Sequence, residues 1–372
     1  MFSWQKHSTI YIHFNDGPVL EIKGDVKPHQ VVMRINGVAI HETTLNGNEW
    51  TKAHRRYLSQ WEISVYAPGH KRIFHHQFDM NGQIVRVNID SRSLGDTLAW
   101  LPQIHAFALQ NPNTRVFVCH FWPDLFDKMA YPELHYIDPE TEIENCYASF
   151  DIGYYFERIE WFHPCDPRQQ PLGKVAADIL GIEYQERRPA LNSTKAAEAT
   201  GTIQNTRPTV CIATASTAAC KHWQHEQGWQ QVIDYLCNEG YRVMVIQQES
   251  CDLQNIDDQT GERPITDRVA QIAECEFFIG LGSGLSWLAW AMAKPVVLIS
   301  GFSEAYSEFT LDCERVINTD ACHGCWNDTS FAFDRDDWDW CPRHRDSKQQ
   351  FECSHWITVE MVINAITRIR ER

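Results

Sequence analysis

The sequence predicts an α/β protein with two Rossmann-like domains, a β-rich segment ahead of them and a four-cysteine finger near the C-terminus. Three observations predict it. From Thr209 to Ile299, short apolar runs alternate with amphipathic helical stretches, the pattern of a doubly wound parallel sheet. A less regular version of the same alternation runs from about residue 84 to about residue 200. Ahead of it, alternating or β-branched runs are broken by Asn-Gly and Pro-Gly pairs, which mark hairpins. With 372 residues, 43% of them hydrophobic and 14 of them tryptophan, the chain can build two or three packed domains without staples.

Residues 1–85 read as a small antiparallel sheet or barrel. Its strands are Tyr11–Phe14, Val31–Ile35 and Trp61–Tyr66, with turns at Asn15-Asp-Gly17, Asn36-Gly37, Asn46-Gly47, Pro68-Gly69 and Asn81-Gly82. The first Rossmann-like domain, residues 86–200, takes over from a strand at Ile84–Ile89. It continues through the loop Ser91–Asp96, a helix over Leu98–Leu109, strands at Arg115–Cys119 and Asp151–Phe156, and a helix from Pro171 to Leu180 that ends near Gly181. The polar stretch Gln185–Arg207, with Pro189 inside it, reads as an interdomain linker. The second domain, residues 208–372, opens with the strand Thr209–Thr214. Trp229, Val232, Ile233, Leu236 and Cys237 then fall on one face of a helix that stops at Gly240. A strand at Tyr241–Ile246, a helix capped by Thr266, a strand at Phe277–Gly280, a turn at Leu281–Gly284, a helix over Leu285–Ala293 and a strand at Val296–Ile299 complete the alternation.

Charge narrows the function. There are 33 basic and 49 acidic residues, a net charge of −16, which argues against nucleic acid or an anionic membrane as the main partner. No window of 18 residues is continuously apolar, so no membrane span is expected. The stretch Met1-Phe-Ser-Trp-Gln-Lys-His7 lacks the apolar core of a signal peptide, so a cytoplasmic location is expected, where the 13 cysteines stay reduced. Cys211 and Cys237 lie in apolar periodic segments and read as small buried hydrophobes.

The finger, residues 318–356, contains Cys322-His-Gly-Cys325, then Cys341 and Cys353. Two thiolates two residues apart bind one cation from the same side, and two more at loop distance close a tetrahedral shell around zinc or iron. Between Trp326 and Trp340 lie six aspartates or asparagines and no apolar run, so the segment needs a metal or disulfides to hold its shape. Scattered thiols and disulfides are the other readings, the latter disfavoured by the expected compartment.

In an open α/β sheet, ligands sit at the carboxyl ends of the strands, where amides at helix N-termini attract anions. Three loops occupy that position. Gly282-Ser283-Gly284, with Leu285 and Ser286 opening the next helix, suits a phosphate or diphosphate, although it is neither a Walker motif nor a dinucleotide fingerprint. The loop after Thr209–Thr214 offers Thr214, Ser216, Thr217 and Lys221, the lysine placed to neutralise a leaving diphosphate. In Ser93-Leu-Gly-Asp96, the aspartate reads either as a helix N-cap or as a general base. His222 and Ser286 read more readily as structural, and no Gly-x-Ser-x-Gly elbow supports a serine hydrolase.

The runs Phe278–Trp290 and Pro295–Phe302, Lys221-His-Trp223 and Gly228-Trp229 resemble the bacterial autotransporter heptosyltransferases. So do Cys322–Ser330, Trp340-Cys-Pro-Arg-His344, Gln350-Phe-Glu-Cys353, Phe14-Asn-Asp-Gly17 and Leu94–Trp100. The likeness is dense from about 208 to 356 and thin between 101 and 200. It implies a GT-B glycosyltransferase with an N-terminal β-barrel. It implies transfer of heptose from ADP-heptose to serine hydroxyls of an autotransporter adhesin passenger domain, before export. It further implies Asp96 as base, Lys221 at the donor, a structural iron held by Cys322, Cys325, Cys341 and Cys353, with zinc as the alternative ion, and a dodecamer. Single displacement by the hydroxyl would invert the anomeric centre. Two other readings stand beside it: a lipopolysaccharide-type heptosyltransferase with a lipid-linked sugar acceptor, and a non-catalytic metal-finger scaffold.

Overall fold

The structure is a computed structural model that describes residues 5–7, 9–24, 27–126, 129–192 and 207–372. Most of the expected linker, residues 193–206, lies outside the described residues, as does most of the Met1–His7 stretch.

The N-terminal strands are β1 (Gln5–His7), β2 (Ile10–Asn15), β3 (Val19–Ile22), β4 (His29–Ile35), β5 (Val38–Leu45), β6 (Glu49–Lys52), β7 (Trp61–Ala67) and β8 (Lys71–Gln77). Of the sheet or barrel that the sequence suggests, they form a sheet from four of the strands rather than one separate barrel. Strands β5-β4-β7-β8 make an open four-stranded antiparallel sheet. The turn pairs act as read: Asn36 and Gly37 both take positive φ between β4 and β5, as do Gly69 and His70 between β7 and β8. The other strands join the first Rossmann-like sheet.

That sheet is completed by β9 (Ile84–Ile89), the helix α1 (Leu94–Gln110), β10 (Arg115–Cys119), β11 (Leu134–Ile137), β12 (Cys146–Ile152) and the helix α2 (Leu172–Ile179). Its order is β11-β10-β9-β12-β2-β3-β6, with β1 on β2. Strands β11 to β2 run parallel, and Phe14 pairs with Ala148 where β2 meets β12. An expected boundary at 85/86 thus falls inside β9. The apolar faces of both sheets share one core, in which Ile12, Leu20, Met33, Ile63 and Val85 are buried together. The strand expected at Asp151–Phe156 ends at Ile152, and Tyr154 to Phe156 form a loop instead.

The second domain contains β13 (Thr209–Ile212), α3 (Gly228–Asn238), β14 (Arg242–Val245), β15 (Asp257–Asp258), α4 (Ile265–Glu274), β16 (Phe277–Leu281), α5 (Gly284–Ala291), β17 (Val296–Ile299), β18 (Cys313–Val316) and α6 (Val359–Arg370). All six strands are parallel in the order β15-β14-β13-β16-β17-β18, the 3-2-1-4-5-6 order of a Rossmann sheet. Strands β13, β16 and β17 are buried along their whole length, as a sheet covered on both faces requires. Thr266 lies in the first turn of α4, whose N-cap is Pro264. The helix α6, beyond the elements expected from the sequence, buries Val362, Ala365, Ile366 and Ile369 against this sheet.

Candidate active site

Both sheets reverse their strand order next to the same cleft. In the first sheet the reversal lies between β9 and β12, in the second between β13 and β16, and ligands bind at such points. Residues 90–96 after β9, Tyr154 and Phe156 after β12, Ser216 to Ala218 and Lys221 after β13, and Gly282 to Gly284 after β16 line one cavity of about 630 Å³. The two domains touch at the helices α1 and α5. A Cβ on Gly95 would sit 3.0 Å from Trp287 Cδ1, and one on Gly284 would sit 2.9 Å from Leu94 Cβ. Glycine at both positions lets two helix N-termini meet at the cavity.

Asp96 is not the cap of α1. Ser93 is the N-cap, its side chain accepting from the Asp96 backbone N–H. The Asp96 side chain therefore projects from the first turn into the cleft, where Ser91 Oγ donates to its Oδ2 at 2.5 Å. Burial pushes its carboxyl above the usual range, while the Ser91 hydrogen bond and the charges of Lys221 and Arg335 pull it back down. A carboxylate set so is a better proton acceptor than an exposed one. Tyr154 beside it is pushed well up, first by burial and then by the charges of Asp96 and Glu308.

The expected donor residues divide. Ser216, Thr217, Lys221, Gly282, Ser283 and Gly284 line the cavity, whereas Thr214, Leu285 and Ser286 do not. The Gln247 side-chain oxygen accepts from Thr214 N at 2.7 Å and lies 3.0 Å from its hydroxyl, bracing the loop from behind. Ser286 is fully buried and donates to Leu281 O at 2.6 Å, which locks the turn. Leu285 packs against the core. The His222 ring lies 2.8 Å from Ser216 O and folds the same loop, a structural job. Among the described residues, Ser283 Oγ is buried without a hydrogen-bond partner, as a group awaiting a ligand would be.

Residues 171–306, which include the Ser216–Lys221 and Gly282–Gly284 loops of this cleft, match glycosyltransferase family 9 (heptosyltransferase). An autotransporter heptosyltransferase of Citrobacter rodentium is 36% identical over 335 residues, 87% of this chain and 80% of the relative. The chain belongs to the autotransporter heptosyltransferases. TibC of enterotoxigenic Escherichia coli, solved as an iron-containing dodecamer, has a TM-score of 0.90 at 32% identity, covering 99% of this chain and 97% of that one. TibC in complex with ADP-D-β-D-heptose matches at a TM-score of 0.89 and 31% identity, with 99% and 98% covered. A Burkholderia thailandensis relative described as an inactive autotransporter heptosyltransferase is 31% identical over 85% of this chain and 75% of its own.

In this heptosyltransferase the cysteine finger is part of the cleft, which sequence reasoning missed. Trp326, Phe333, Arg335, Asp337 and Trp338 line the cavity. Nothing in the spacing of Arg335 marks it; the one available signal was a lone arginine among the aspartates 334, 336 and 337. The finger is tied to both domains. On the donor side, Gly324 N donates to Gly301 O at 2.9 Å and Ala219 N to Trp338 O at 2.9 Å. On the other side, Arg168 Nη1 donates to Phe331 O at 2.7 Å and Arg335 Nη2 to Tyr154 O at 2.8 Å.

The four finger cysteines lie near enough for their charges to act on one another. All 13 cysteines are free thiols. Burial raises the Cys353 thiol first, and then the charges of Cys322, Cys325, Cys341 and Cys220 raise it further. Cys325 is pushed up to about 11 by burial, against the downward pull of Arg343, with Cys322 and Cys341 adding to the rise. Crowded, buried thiols that disfavour one another's ionisation are what a cation would relieve. The backbone N–H of Phe351 also donates to Cys341 Sγ at 3.5 Å. Four neighbouring cysteines are a donor set whose chemistry suits a thiolate-bound metal. Among the described residues, the ligand atoms close enough together to hold one ion are those of Cys322, His344 and Glu352, within 4.8 Å of one another. The seat of the finger is tight, since a Cβ on Gly301 would lie 2.5 Å from Cys353 O. Gly301→Ala is expected to destabilise the protein by about 1–3 kcal/mol through overpacking, read as a fall in the denaturant midpoint. An unchanged midpoint would show that the finger does not bear on this loop.

Proposed function

We propose that this heptosyltransferase moves heptose from ADP-heptose to serine hydroxyls of an autotransporter adhesin passenger domain, inverting the anomeric centre. One observation carries the reading: Asp96 of the first domain lines the same cavity as Lys221 and Ser283 of the second. A base and an anion-binding loop facing each other across two Rossmann-like domains support a GT-B arrangement. The acceptor oxygen forms the new bond to the anomeric carbon, and Asp96 takes its proton. The bond from that carbon to the diphosphate oxygen breaks on the opposite face, and its electron pair stays on the leaving ADP. Lys221 and the N-terminal turn of α5 stabilise that charge.

Cys322, Cys325, Cys341 and Cys353 hold the iron in this reading, with zinc the other ion that suits thiolates. Bound there, the metal supplies folding energy for the finger rather than a reacting centre. The likeness to TibC supports a homo-oligomer. No described helix is long and apolar enough to cross a membrane.

The test is intact-protein mass spectrometry of a passenger fragment co-expressed with this chain in cells that make ADP-heptose. Added masses of one heptose per modified serine are the expected result. The relative described as inactive favours one other reading, a non-catalytic scaffold. An unmodified passenger, with donor supply confirmed, would overturn transfer to serine in favour of the scaffold or of a lipid-linked sugar acceptor. Lys221→Ala is expected to lower kcat/KM for ADP-heptose about 10²-fold; unchanged kinetics would remove Lys221 from the donor site.

A further inference from the structure

The finger brings into the cleft a cation that the steps above leave unused. We propose that Arg335 contacts the diphosphate of the donor together with Lys221 and neutralises part of the charge that gathers on the leaving group. The inference rests on the nucleotide-donor reading above and adds a residue that neither the cleft loops nor the glycine turn supply.

Four observations carry it. Arg335 lines the same cavity as Lys221 and Ser283, although it comes from the finger rather than from a loop at the strand ends. Its guanidinium is held in place: Nη2 donates to Tyr154 O at 2.8 Å, and its carbon lies 5.6 Å from the centre of the Phe156 ring. That carbonyl takes one of the five N–H donors an arginine carries. Of the finger's acids, Asp337 pairs with Arg345 and Asp328 with Arg343, and among the described residues Arg335 forms no ion pair. Finally, the charges of Arg335 and Lys221 both act on Asp96, and all three line the one cavity.

The charge arithmetic explains why two are useful. A sugar nucleotide becomes a free nucleoside diphosphate with one more negative charge as the glycosidic bond breaks. Lys221 offers one positive charge and the α5 N-terminus about half of one. A planar guanidinium adds another and suits two phosphate oxygens at once. In the step itself the serine oxygen bonds to the anomeric carbon, its proton passes to Asp96, and the electron pair of the broken bond stays on the phosphate oxygen. Arg335 neither gains nor loses a proton. It also makes the finger part of the active site, because Tyr154 belongs to the first domain while the finger sits on Gly301 of the second.

The test compares wild type, Arg335→Gln and Arg335→Lys in the full-length, metal-loaded protein. Gln keeps an N–H donor for the Tyr154 carbonyl and loses only the charge. Three quantities are read: kcat and KM for ADP-heptose, ADP affinity by calorimetry, and the pH dependence of kcat. Metal content and melting temperature check that the fold is kept. Asp96 is faced by Lys221 from the β13 loop, Arg335 from the finger, Tyr154 from the β12 loop, and Ser91 and Ser93 on its own loop. Removing one of the two cations therefore moves the acid limb of kcat to higher pH. Arg335→Gln is expected to lower kcat about 10²-fold and to weaken ADP binding, with Arg335→Lys in between. Wild-type kcat, ADP affinity and acid limb in a folded Arg335→Gln protein would overturn the assignment. Absence of turnover by the wild type itself would instead remove the donor reading on which it rests.

Discussion

Asp96→Asn is expected to reduce heptose transfer by about 10³-fold or more while leaving ADP binding within about twofold of wild type. General-base catalysis contributes on the order of 10²–10⁴ in rate, and a buried amide in place of the carboxylate accepts no proton. The substitution keeps the side chain's size and an oxygen for the Ser91 hydroxyl, so the loss is chemical rather than architectural. Stability gives a second readout with a definite sign. Burial raises the folded-state carboxyl of Asp96 above its ordinary value, so its ionised form costs stability at neutral pH. The variant should melt higher than wild type at pH 7, and the gap should close as pH falls below the ordinary carboxylate range, where both states hold the proton. Turnover that survives in Asp96→Asn would assign the base elsewhere, with Asp90 as the nearest remaining carboxylate on the same cleft loop.

Cys353→Ser and Cys322→Ser are expected to abolish bound metal and lower the melting temperature by about 10 °C or more, because the binding energy of a structural metal is folding energy. Elemental analysis per chain and thermal melting are the measurements. Two companions sharpen the result. His344→Gln tests the mixed group of Cys322, His344 and Glu352; retained metal in that variant speaks for the thiolate quartet, and lost metal for the mixed set. Cys220→Ser addresses the fifth thiol, which neighbours Cys353 and adjoins Lys221; it should keep its metal. Because the finger carries Arg335 and Trp338 into the cleft, metal loss should also cost activity. A fully metal-loaded, stable Cys353→Ser protein would end the four-cysteine assignment.

Much of the second domain was readable because its signals are local. The face Trp229, Val232, Ile233, Leu236 repeats with the helical period, and helix α3 buries it as that period requires. Gly240 takes a φ of +91° just after that helix, in keeping with its reading as a stop. The N-terminal strands and their turns were legible for the same reason, but their partners were not. The pairing of β2 with β12 joins Phe14 to Ala148, and no pattern within either strand specifies a neighbour so far along the chain.

The candidate site shows the same division. The Gly282-Ser-Gly284 turn, the loop holding Lys221 and the cysteine spacing lie in short runs whose residue types restrict backbone shape and chemistry on their own. Ser283 and Ser286 look equivalent on paper, yet one presents an orphaned hydroxyl at the cavity and the other caps a carbonyl inside the turn. The same holds for Asp96, whose choice between cap and cleft depended on Ser93 taking the cap. Sequence alone therefore determined the α/β class, the loops that line the cleft and the spacing of the four finger cysteines, since periodicity, glycine and cysteine act within a few residues. Tertiary structure alone decided that the first strands extend a Rossmann-like sheet, that Asp96 faces Lys221 across one cleft, and that the finger delivers Arg335 to it. Those outcomes depend on which distant surfaces bury each other best, a property of the whole packed molecule that no single stretch carries.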